Sequence, residues 1–481
     1  MSIAMKQLYL TFVLFILITA AGNGQTKNSR ICRPGFTYEI SKSTNWGNGL
    51  PVVLSVYPYS SAESAGMRAG DLIETIDGIS TANVQPQEIN QLLNRAGSNE
   101  LALGIRNLAN PLREIIIRKE CKRKETITEE QLAVAYSLYS PESTYERQFT
   151  CPFVYTVQPG VNYADFKTYA FTMPDPDNEA LENALNACIA KELNSKGLKE
   201  TSENPDMLVQ TFYFFDKNPA YRGENKIRVK KDPVYRYNTL TRKMEIFPFL
   251  PVSSSASEAE YVLQLGFRFI DRRNPDKNKL QVIWECEANE KLGAPYKLQE
   301  YAKIFVPLLC MNYPYVKSAR NPQYTVNYET YNYTGIRYDM GRLEQVVAVD
   351  RNSPAQAAGI RSRDLIESID GHSLDHTAAE FAEAYKQFVA ATMPYRDPAT
   401  QFTDANGFRY AMLWDKFEYP RIADALQENK YLPAFSYLYY FAPYVNPEGV
   451  NACRFKVKRG KNTTETVIRP VIRNSVTIQV N

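Results

Sequence analysis

The sequence predicts a mixed α+β protein of three folded domains, in which two copies of one small unit flank a domain of a different kind. The chain has 481 residues, which is enough for about three domains. A pattern running from Ser60 to Gly78 returns without a gap from Ser353 to Gly371. Such self-similarity indicates a duplicated unit. Between the copies, apolar residues follow the strand period of two in some stretches and the helical period in others.

The repeated pattern predicts a short helical turn, a strand and a sharp turn. In the first copy, the small residues from Ala62 to Ala65 form the helical turn, and Gly66 can end it in the left-handed conformation. The stretch from Asp71 to Ile76 has the composition of a strand, and Asp77 with Gly78 predicts a sharp turn, because both residues tolerate positive φ.

The pattern resembles the core signature of bacterial PDZ domains, S-P-A-x-x-A-G-[LI]-x-x-G-D-x-I-x-x-[IV]-[ND]-G. The first copy has Ser61 where this family usually has proline, and the second has Arg363 where it usually has glycine. Neither position belongs to the ligand groove of the family. The resemblance implies two PDZ-like, partly open β-barrels with capping helices. Each would bind an extended peptide by β-augmentation between a groove strand and a groove helix.

The composition is that of a globular chain without a strongly charged region. Hydrophobic residues make up 44% and charged residues 23%, and the net charge is +3 with no basic block. This balance predicts neither nucleic acid nor an anionic membrane surface as a partner.

Residues 1–24 resemble a secretory signal peptide. Lys6 supplies the positive start, the apolar run from Leu8 to Ala21 is short for a membrane span, and small residues follow it. A single anchoring helix is the alternative. Cys32 is too distant from the run to be a lipoprotein acceptor. We therefore expect an exported protein, periplasmic or cell-envelope associated, with no membrane span in its mature form.

The seven cysteines are widely spaced and contain no C-x-x-C motif, so no zinc knuckle is predicted. Cys32 and Cys121 flank the first repeat, and a disulfide between them is possible because export permits disulfides. Such a bridge could contribute about 4–5 kcal/mol by the chain-entropy estimate. Buried free thiols explain the other cysteines at least as well as further disulfides do.

Residues 33–120 form the first PDZ-like unit. In this family a loop of the form x-φ-G-φ holds a peptide's terminal carboxylate, and Arg33–Phe36 occupies that place here. Pro34 removes one N–H donor from the loop, which weakens carboxylate capture. Phe36–Ile40 is the expected groove strand and residues 86–96 the groove helix. The expected peptide-binding residues of this unit are Gly35, Phe36, Tyr38, Ile89 and Leu93.

Residues 121–148 are polar and form a linker or a docking helix, with a helical patch from Glu129 to Tyr139. Residues 149–318 form the α+β domain. Its predicted order is β-α-β-β-β-α, with strands at 163–171, 205–210, 261–270 and 279–287 and helices at 178–196 and 298–311. The opening Tyr163–Phe171 and the strand beginning at Pro205 resemble a domain of unknown function common in Gram-negative envelope lipoproteins, which implies no catalytic residues.

Residues 319–478 form the second PDZ-like unit. Its loop Tyr333–Ile336 has a donor at every position, and Ile336–Met340 is the expected groove strand. The expected peptide-binding residues are Thr334, Gly335, Ile336, Tyr338, Phe381 and Tyr385. This intact loop predicts that the second repeat binds free C-terminal peptides more strongly than the first. Residues 393–449 are an aromatic-rich insertion, either a satellite core or a lid beside the groove.

No recognisable catalytic or metal-binding set is present. The only two histidines, His372 and His376, do not lie in one helix and have no nearby cysteine or third ligand. We therefore expect no enzyme activity, no metal and no cofactor. The predicted function is that of a cell-envelope scaffold or adaptor that binds C-terminal or internal segments of partner proteins. The alternatives are an atypical periplasmic serine protease or protease accessory subunit, and a structural spacer with closed grooves.

Overall fold

A computed structural model describes residues 30–95, 98–123, 125–136, 146–223, 235–247, 259–273, 281–402, 411–428, 431–438 and 452–481. The expected signal peptide and the aromatic residues Tyr439, Tyr440 and Phe441 of the insertion lie outside these residues. The chain divides into two compact units. Unit A contains Cys32–Glu120, Glu146–Asn327 and Val476–Asn481. Unit B contains the described residues of Met1–Ile31, Cys121–Tyr145 and Tyr328–Ser475.

The first repeat folds as one open sheet with a groove helix. Its elements are β1 (Arg30–Arg33), β2 (Phe36–Ile40), β3 (Pro51–Val56), α1 (Ser61–Ser64), β4 (Leu72–Ile76), β5 (Ile79–Ser80), α2 (Pro86–Leu93), β6 (Glu100–Arg106), β7 (Arg113–Arg118) and β8 (Glu120–Arg123). The sheet order is β2-β3-β4-β6-β7, with β5 paired to β4. One buried cluster joins this sheet to α2 through Ile89 and Leu93.

The repeated pattern builds the same local structure in both copies. The Ser60 hydroxyl accepts a hydrogen bond from the Glu63 N–H at 3.1 Å and so caps α1. Ser353 caps the equivalent helix of the second repeat, because its hydroxyl accepts from the Gln356 N–H at 3.2 Å. In the first copy, Asp77 and Gly78 take φ values of 50° and 78°, as the predicted sharp turn requires.

The linker and the central region follow. Their elements are β9 (Thr126–Thr128), α3 (Glu129–Ala135), β10 (Glu146–Thr150), β11 (Phe153–Val157), a 3₁₀ turn (Tyr163–Asp165), β12 (Thr168–Phe171), α4 (Glu179–Ser195), β13 (Lys199–Glu200), β14 (Met207–Lys217), β15 (Tyr235–Asn238), β16 (Lys243–Ile246), β17 (Tyr261–Asp271), β18 (Gln281–Leu292) and α5 (Leu298–Cys310). The main central sheet has the order β11-β18-β17-β14-β12-β13.

The central region contains five strands beyond the predicted β-α-β-β-β-α order, namely β10, β11, β13, β15 and β16. The first predicted strand is also shorter than expected. The Asn162 side chain accepts a hydrogen bond from the Ala164 N–H at 3.1 Å and turns the backbone there. The strand begins only at Thr168, whose N–H donates to Asp206 Oδ2 at 2.8 Å. Local side-chain bonds therefore replace the first half of the predicted strand.

Helices α4 and α5 pack against each other and cover the central core. Helix α4 buries Leu185, Ile189 and Leu193 at the predicted helical spacing. Aromatic rings fill the space beneath, with the ring centroids of Phe269 and Trp284 4.8 Å apart. This dense aromatic packing accounts for part of the high tyrosine and phenylalanine content.

The second repeat contains the insertion between its groove helix and its last hairpin. Its elements are β19 (Gln323–Tyr333), β20 (Ile336–Asp339), β21 (Val346–Val349), α6 (Pro354–Ala357), β22 (Leu365–Ile369), β23 (His372–Ser373), α7 (Ala378–Thr392), a 3₁₀ turn (Met393–Tyr395), β24 (Arg396–Phe402), β25 (Ala411–Trp414), a 3₁₀ turn (Lys416–Glu418), α8 (Tyr419–Glu428), a 3₁₀ helix (Leu432–Leu438), β26 (Cys453–Arg459), β27 (Asn462–Ile468) and β28 (Val471–Val480).

The strands of the second repeat lie in separate sheets. One has the order β21-β20-β9 and another the order β23-β22-β26-β27. The mixed α+β class is confirmed, and PDZ-like units are consistent with it. The strands of the described ranges form open sheets, however, and none of these sheets closes into a barrel.

Cys32 and Cys121 each take part in a disulfide bond. The other five cysteines are free thiols, and four of them are buried. Within the residues that the structure describes, no helix has both the length and the apolar character that a membrane crossing requires.

Candidate peptide-binding grooves

Each repeat carries the same glycine-centred loop in front of its groove strand. Gly35 and Gly335 adopt φ values of 86° and 89°, in the left-handed region that favours glycine. A Cβ on Gly35 would lie 2.8 Å from the Ser60 Cβ, and one on Gly335 would lie 2.3 Å from the Ser353 Cβ. The helix-capping serine of each repeat thus packs against the loop and holds it in place.

In the second repeat, the loop binds the carboxylate of Glu129 from the linker. Glu129 Oε2 accepts the Thr334 N–H at 2.8 Å and the Gly335 N–H at 2.9 Å. Glu129 Oε1 accepts the Thr334 hydroxyl, and the Tyr437 hydroxyl lies 3.4 Å from the same oxygen. The side chain of Glu129 therefore occupies the place that a peptide's terminal carboxylate would take.

The residues before Glu129 add a strand to the groove. Strand β9 pairs antiparallel with β20, with Thr128 opposite Arg337 and Ile127 opposite Tyr338. The Met340 N–H extends the ladder by donating to the Glu125 carbonyl at 2.8 Å. Ile127 is buried on the face of Tyr338. The linker thus fills the groove by β-augmentation from within the same chain.

The pocket beside this strand is also filled. The Tyr136 ring, at the end of α3, makes edge contacts with Phe381 and Tyr385 at 4.9 and 5.3 Å between centroids. Phe435 of the insertion approaches Phe381 from another side at 4.6 Å. Phe381 and Tyr385 are almost fully buried as a result. The described part of the insertion is therefore buried next to the groove helix.

The bound Glu129 carboxyl is held in an unusual electrostatic setting. It is 2% exposed, and burial raises its pKa from 4.5 to about 7. The hydrogen bonds from Thr334 and Gly335 oppose this rise, whereas the nearby charge of Asp350 adds to it. Asp350 itself pairs with Arg337, whose Nε donates to its Oδ1 at 2.8 Å. The Glu129 carboxyl is therefore bound by neutral hydrogen-bond donors rather than by a cation.

The groove of the first repeat is built differently. Strand β2 is the end strand of its sheet among the described residues and pairs with β3 alone. The Tyr38 hydroxyl donates to Asn90 Oδ1 at 2.8 Å and so links the groove strand to the groove helix. At the position of Thr334 this loop has Pro34, which offers neither an N–H nor a hydroxyl.

The structure brings together the predicted residues of each groove. In the first repeat, Phe36, Ile89 and Leu93 are buried beneath the groove, Gly35 shapes the loop, and Tyr38 is half-buried against the same cluster. In the second repeat, Thr334, Gly335, Ile336, Tyr338, Phe381 and Tyr385 surround the linker segment.

The ligand-side residues Ile127, Glu129 and Tyr136 were not singled out from the sequence. The signal that could have found them is the capping box of Thr128 and Gln131, which places a strand end and a helix start inside the linker.

The described residues contain no group of three or more metal-ligating side chains. His372 lies in β23, and the ring of His376 packs against Tyr431 at 4.4 Å between centroids. His372 is thus part of a strand, and His376 makes a ring contact.

Comparison with known proteins agrees with this architecture. The model of a PDZ domain matches residues 52–106 and 345–387, and the model of a domain of unknown function, DUF4136, matches residues 153–315. PDZ domains are protein-interaction modules, and neither of the two domain types is typically catalytic. No curated protein matches the chain.

Several solved structures are similar. A photosystem II D1 C-terminal processing protease is 19% identical over 38% of this chain and 41% of its own, with a TM-score of 0.18. A PelC variant from Paraburkholderia phytofirmans is 14% identical over 34% of this chain and 94% of its own, with a TM-score of 0.16. Similarities this low support no conclusion about fold or function.

The crystal structure of a PDZ domain protein from Parabacteroides distasonis ATCC 8503 is far more similar. It is 55% identical, covers 94% of this chain and 100% of its own, and superposes with a TM-score of 0.82. Two PDZ units flanking a DUF4136 domain, together with this identity over nearly the whole length, place the chain in the family of that PDZ domain protein.

Proposed function

We propose that the protein is a non-catalytic scaffold, exported to the cell envelope, that binds extended segments of partner proteins through its first groove. In this proposal the second groove fastens the linker of the same chain. The observation that supports it is the Glu129 carboxylate, which lies on the N–H groups of Thr334 and Gly335 at 2.8 and 2.9 Å. A groove holding its own ligand is not free for a partner.

The free energy of this contact favours permanent occupation of the second groove by the linker. Ile127, Leu132 and Tyr136 are all at least 92% buried, and exposing such side chains costs about 1.5–3 kcal/mol each. Hydrogen bonds to a charged group add about 1.5–3 kcal/mol each, against the desolvation cost that raises the pKa of Glu129 to about 7. A peptide in trans must also compete with a tethered segment whose effective concentration is on the order of millimolar. We therefore assign partner binding to the first groove, although the intact loop had favoured the second.

The first groove should accept internal segments as readily as chain ends. Its loop lacks both donors that Thr334 supplies in the second repeat, so a terminal carboxylate gains little there. We expect the full chain to select extended peptides from a library with one site per chain. Free-acid and amidated forms of a selected peptide should differ less than about threefold in affinity, because the first loop offers a terminal carboxylate fewer charge-assisted hydrogen bonds than the second loop does.

A pair of exposed residues on α2 provides the control for this binding test. Asn90→Arg places a long side chain at the groove, next to Tyr38, and should weaken peptide binding by about tenfold or more. Gln91→Arg makes the same chemical change one residue away and should leave affinity within about twofold. Two sites per chain, or a strong preference for the free acid, would contradict the proposed division between the grooves. No selected peptide at all would favour the structural spacer.

Export is tested separately. The short apolar run from Leu8 to Ala21, followed by small residues, supports signal cleavage. Mass spectrometry of the protein from envelope fractions should find a first residue between Gly22 and Asn28. An intact Met1 in those fractions would refute cleavage and favour an anchoring helix.

A further inference from the structure

One departure from the PDZ signature has a structural cost. Arg363 takes φ = 75°, whereas the equivalent residue of the first repeat is Gly70 with φ = 88°. The backbone is otherwise the same, because Gly70 donates to the Val53 carbonyl and Arg363 to the Val346 carbonyl, both at 2.8 Å. A non-glycine residue in this conformation costs roughly 1–2 kcal/mol. Such strain often lies at functional sites.

In the first repeat, the edge around Gly70 is a docking surface for the central domain of unit A. Arg68 Nη1 donates to the Ser195 carbonyl at the end of α4, at 2.6 Å. A Cβ on Gly70 would lie 3.5 Å from the Pro314 Cδ, so the missing side chain leaves room for the neighbour. Leu108, on the adjoining turn, is fully buried. This edge of the repeat therefore binds protein.

In the second repeat the same edge is exposed and carries cations. Arg361 stands where Arg68 stands in the first repeat, Arg363 replaces Gly70, and Lys461 lies on the adjoining β26–β27 turn. All three are exposed. We call these three residues the basic edge. None of them forms an ion pair with another residue of the described ranges.

The acidic groups near the basic edge already have partners. Asp364 is buried and accepts hydrogen bonds from Arg459 Nε and Nη2, both at 2.7 Å. Glu367 lies 3.3 Å from Lys456 Nζ and 3.9 Å from Lys458 Nζ. These acids form their ion pairs with other cations, and of the three residues of the basic edge Arg361 also interacts with the charge of Asp364.

We propose that the basic edge is a docking surface for an acidic surface of a partner protein. The first repeat supports this choice of occupant, because its equivalent edge binds the carbonyl end of a helix, which carries partial negative charge. Three cations on a loop and a turn are few for nucleic acid, since specific binders typically neutralise about 6–10 phosphates. The proposal does not depend on either groove.

Poly-L-glutamate carrying a fluorophore is a defined acidic polypeptide for the test. Fluorescence anisotropy with the full chain should show binding that weakens with salt. The triple variant Arg361→Glu, Arg363→Glu and Lys461→Glu should bind at least tenfold more weakly. The matched control reverses three exposed lysines of unit A, Lys191→Glu, Lys199→Glu and Lys297→Glu, and should stay within about threefold of wild type.

Equal losses in the two triple variants would overturn the proposal, because net charge alone would then explain the binding. It would also be overturned if wild type failed to bind poly-L-glutamate. Binding to phosphatidylglycerol vesicles or a 20-base-pair DNA duplex in its place, with the same dependence on the basic edge, would identify a different occupant and refute an acidic protein.

Arg363→Gly separates docking from folding. Glycine adopts the left-handed conformation without strain, so the urea midpoint of unfolding should be unchanged or higher. The affinity for poly-L-glutamate should nevertheless fall by about threefold or more. A lower urea midpoint with unchanged affinity would mean that Arg363 serves folding rather than docking, against the proposal.

Discussion

Replacing Glu129 by alanine is expected to release the linker from the second groove and to destabilise unit B by roughly 3 kcal/mol or more, because three buried donors lose their acceptor. The substitution leaves the N–H groups of Thr334 and Gly335 and the Thr334 hydroxyl buried without their acceptor. Each unsatisfied buried donor costs about 1–3 kcal/mol.

Hydrogen exchange followed by mass spectrometry can localise this effect. Amides of residues 126–136 and 334–340 should lose protection together in Glu129→Ala, because strand β9 and strand β20 protect each other. Glu129→Gln keeps an acceptor for both N–H groups and should lose much less protection. Glu125→Ala, at an exposed neighbour, should match wild type.

Two results would contradict the role given to Glu129. One is a Glu129→Ala protein whose exchange resembles that of Glu125→Ala, which would mean that apolar contacts alone hold the linker. The other is a loss of protection confined to unit A, which contains none of the donors to Glu129.

Short-range patterns predicted the repeats well. The serine caps, the glycine turns and the helical spacing of Leu185, Ile189 and Leu193 each depend on residues close in sequence, and each is found in the structure. The x-φ-G-φ loops could also be located, because their glycines require positive φ.

The occupant of the second groove could not be predicted in the same way. Glu129 and Thr334 are 205 residues apart, and nothing local distinguishes a carboxylate that enters a groove from one that faces solvent. The insertion posed the same difficulty, because Phe435 and Tyr437 reach the groove helix and Glu129 only in the folded chain. The two alternatives left open for the insertion differ in just such long-range contacts.

Net charge was a poor guide to local surfaces. A total of +3 suggested neither nucleic acid nor an anionic membrane surface as a partner, yet Arg361, Arg363 and Lys461 are exposed together on one edge of the second repeat. Their acidic neighbours Asp364 and Glu367 are adjacent in sequence, which cancels the charge in any window average. In the structure those acids form their ion pairs with Arg459, Lys456 and Lys458 rather than with the cations of the basic edge.

Buried carboxyl groups should make the folded protein less stable at pH 8 than at pH 5. Burial raises the pKa of Glu129 and of Glu290 from 4.5 to about 7, and raises that of Glu329 well above 4.5. Between about pH 4.5 and 7 the folded state therefore binds more protons than the unfolded state, and stability falls as pH rises. A rise of this size corresponds to about 3 kcal/mol for Glu129 alone.

A second set of carboxyls limits this trend on the acidic side. Hydrogen bonds and nearby cations lower the pKa of Asp206 and of Asp364, against the desolvation that opposes them. Their stabilising contributions are present above the unfolded values and are lost as pH falls through the folded ones. The most stable range is thus expected near pH 4, between the ordinary values of the two sets, 3.8 and 4.5.

Glu329→Gln provides the sharpest test of this pH dependence. Glu329 is 2% exposed, both of its oxygens lack a hydrogen-bond partner among the described residues, and Glu130 contributes to the rise in its pKa. At pH 8 wild type must either bury a charged Glu329 carboxylate or keep that carboxyl protonated, and both cost stability. Glutamine avoids this cost, so the urea midpoint of the variant should exceed that of wild type. At pH 5, where the Glu329 carboxyl is already neutral, the midpoints should agree closely.

An exposed control, Glu383→Gln, should leave the pH dependence of the midpoint unchanged. If Glu329→Gln instead follows wild type at both pH values, the buried carboxyl does not titrate with folding and this account of the pH dependence is wrong.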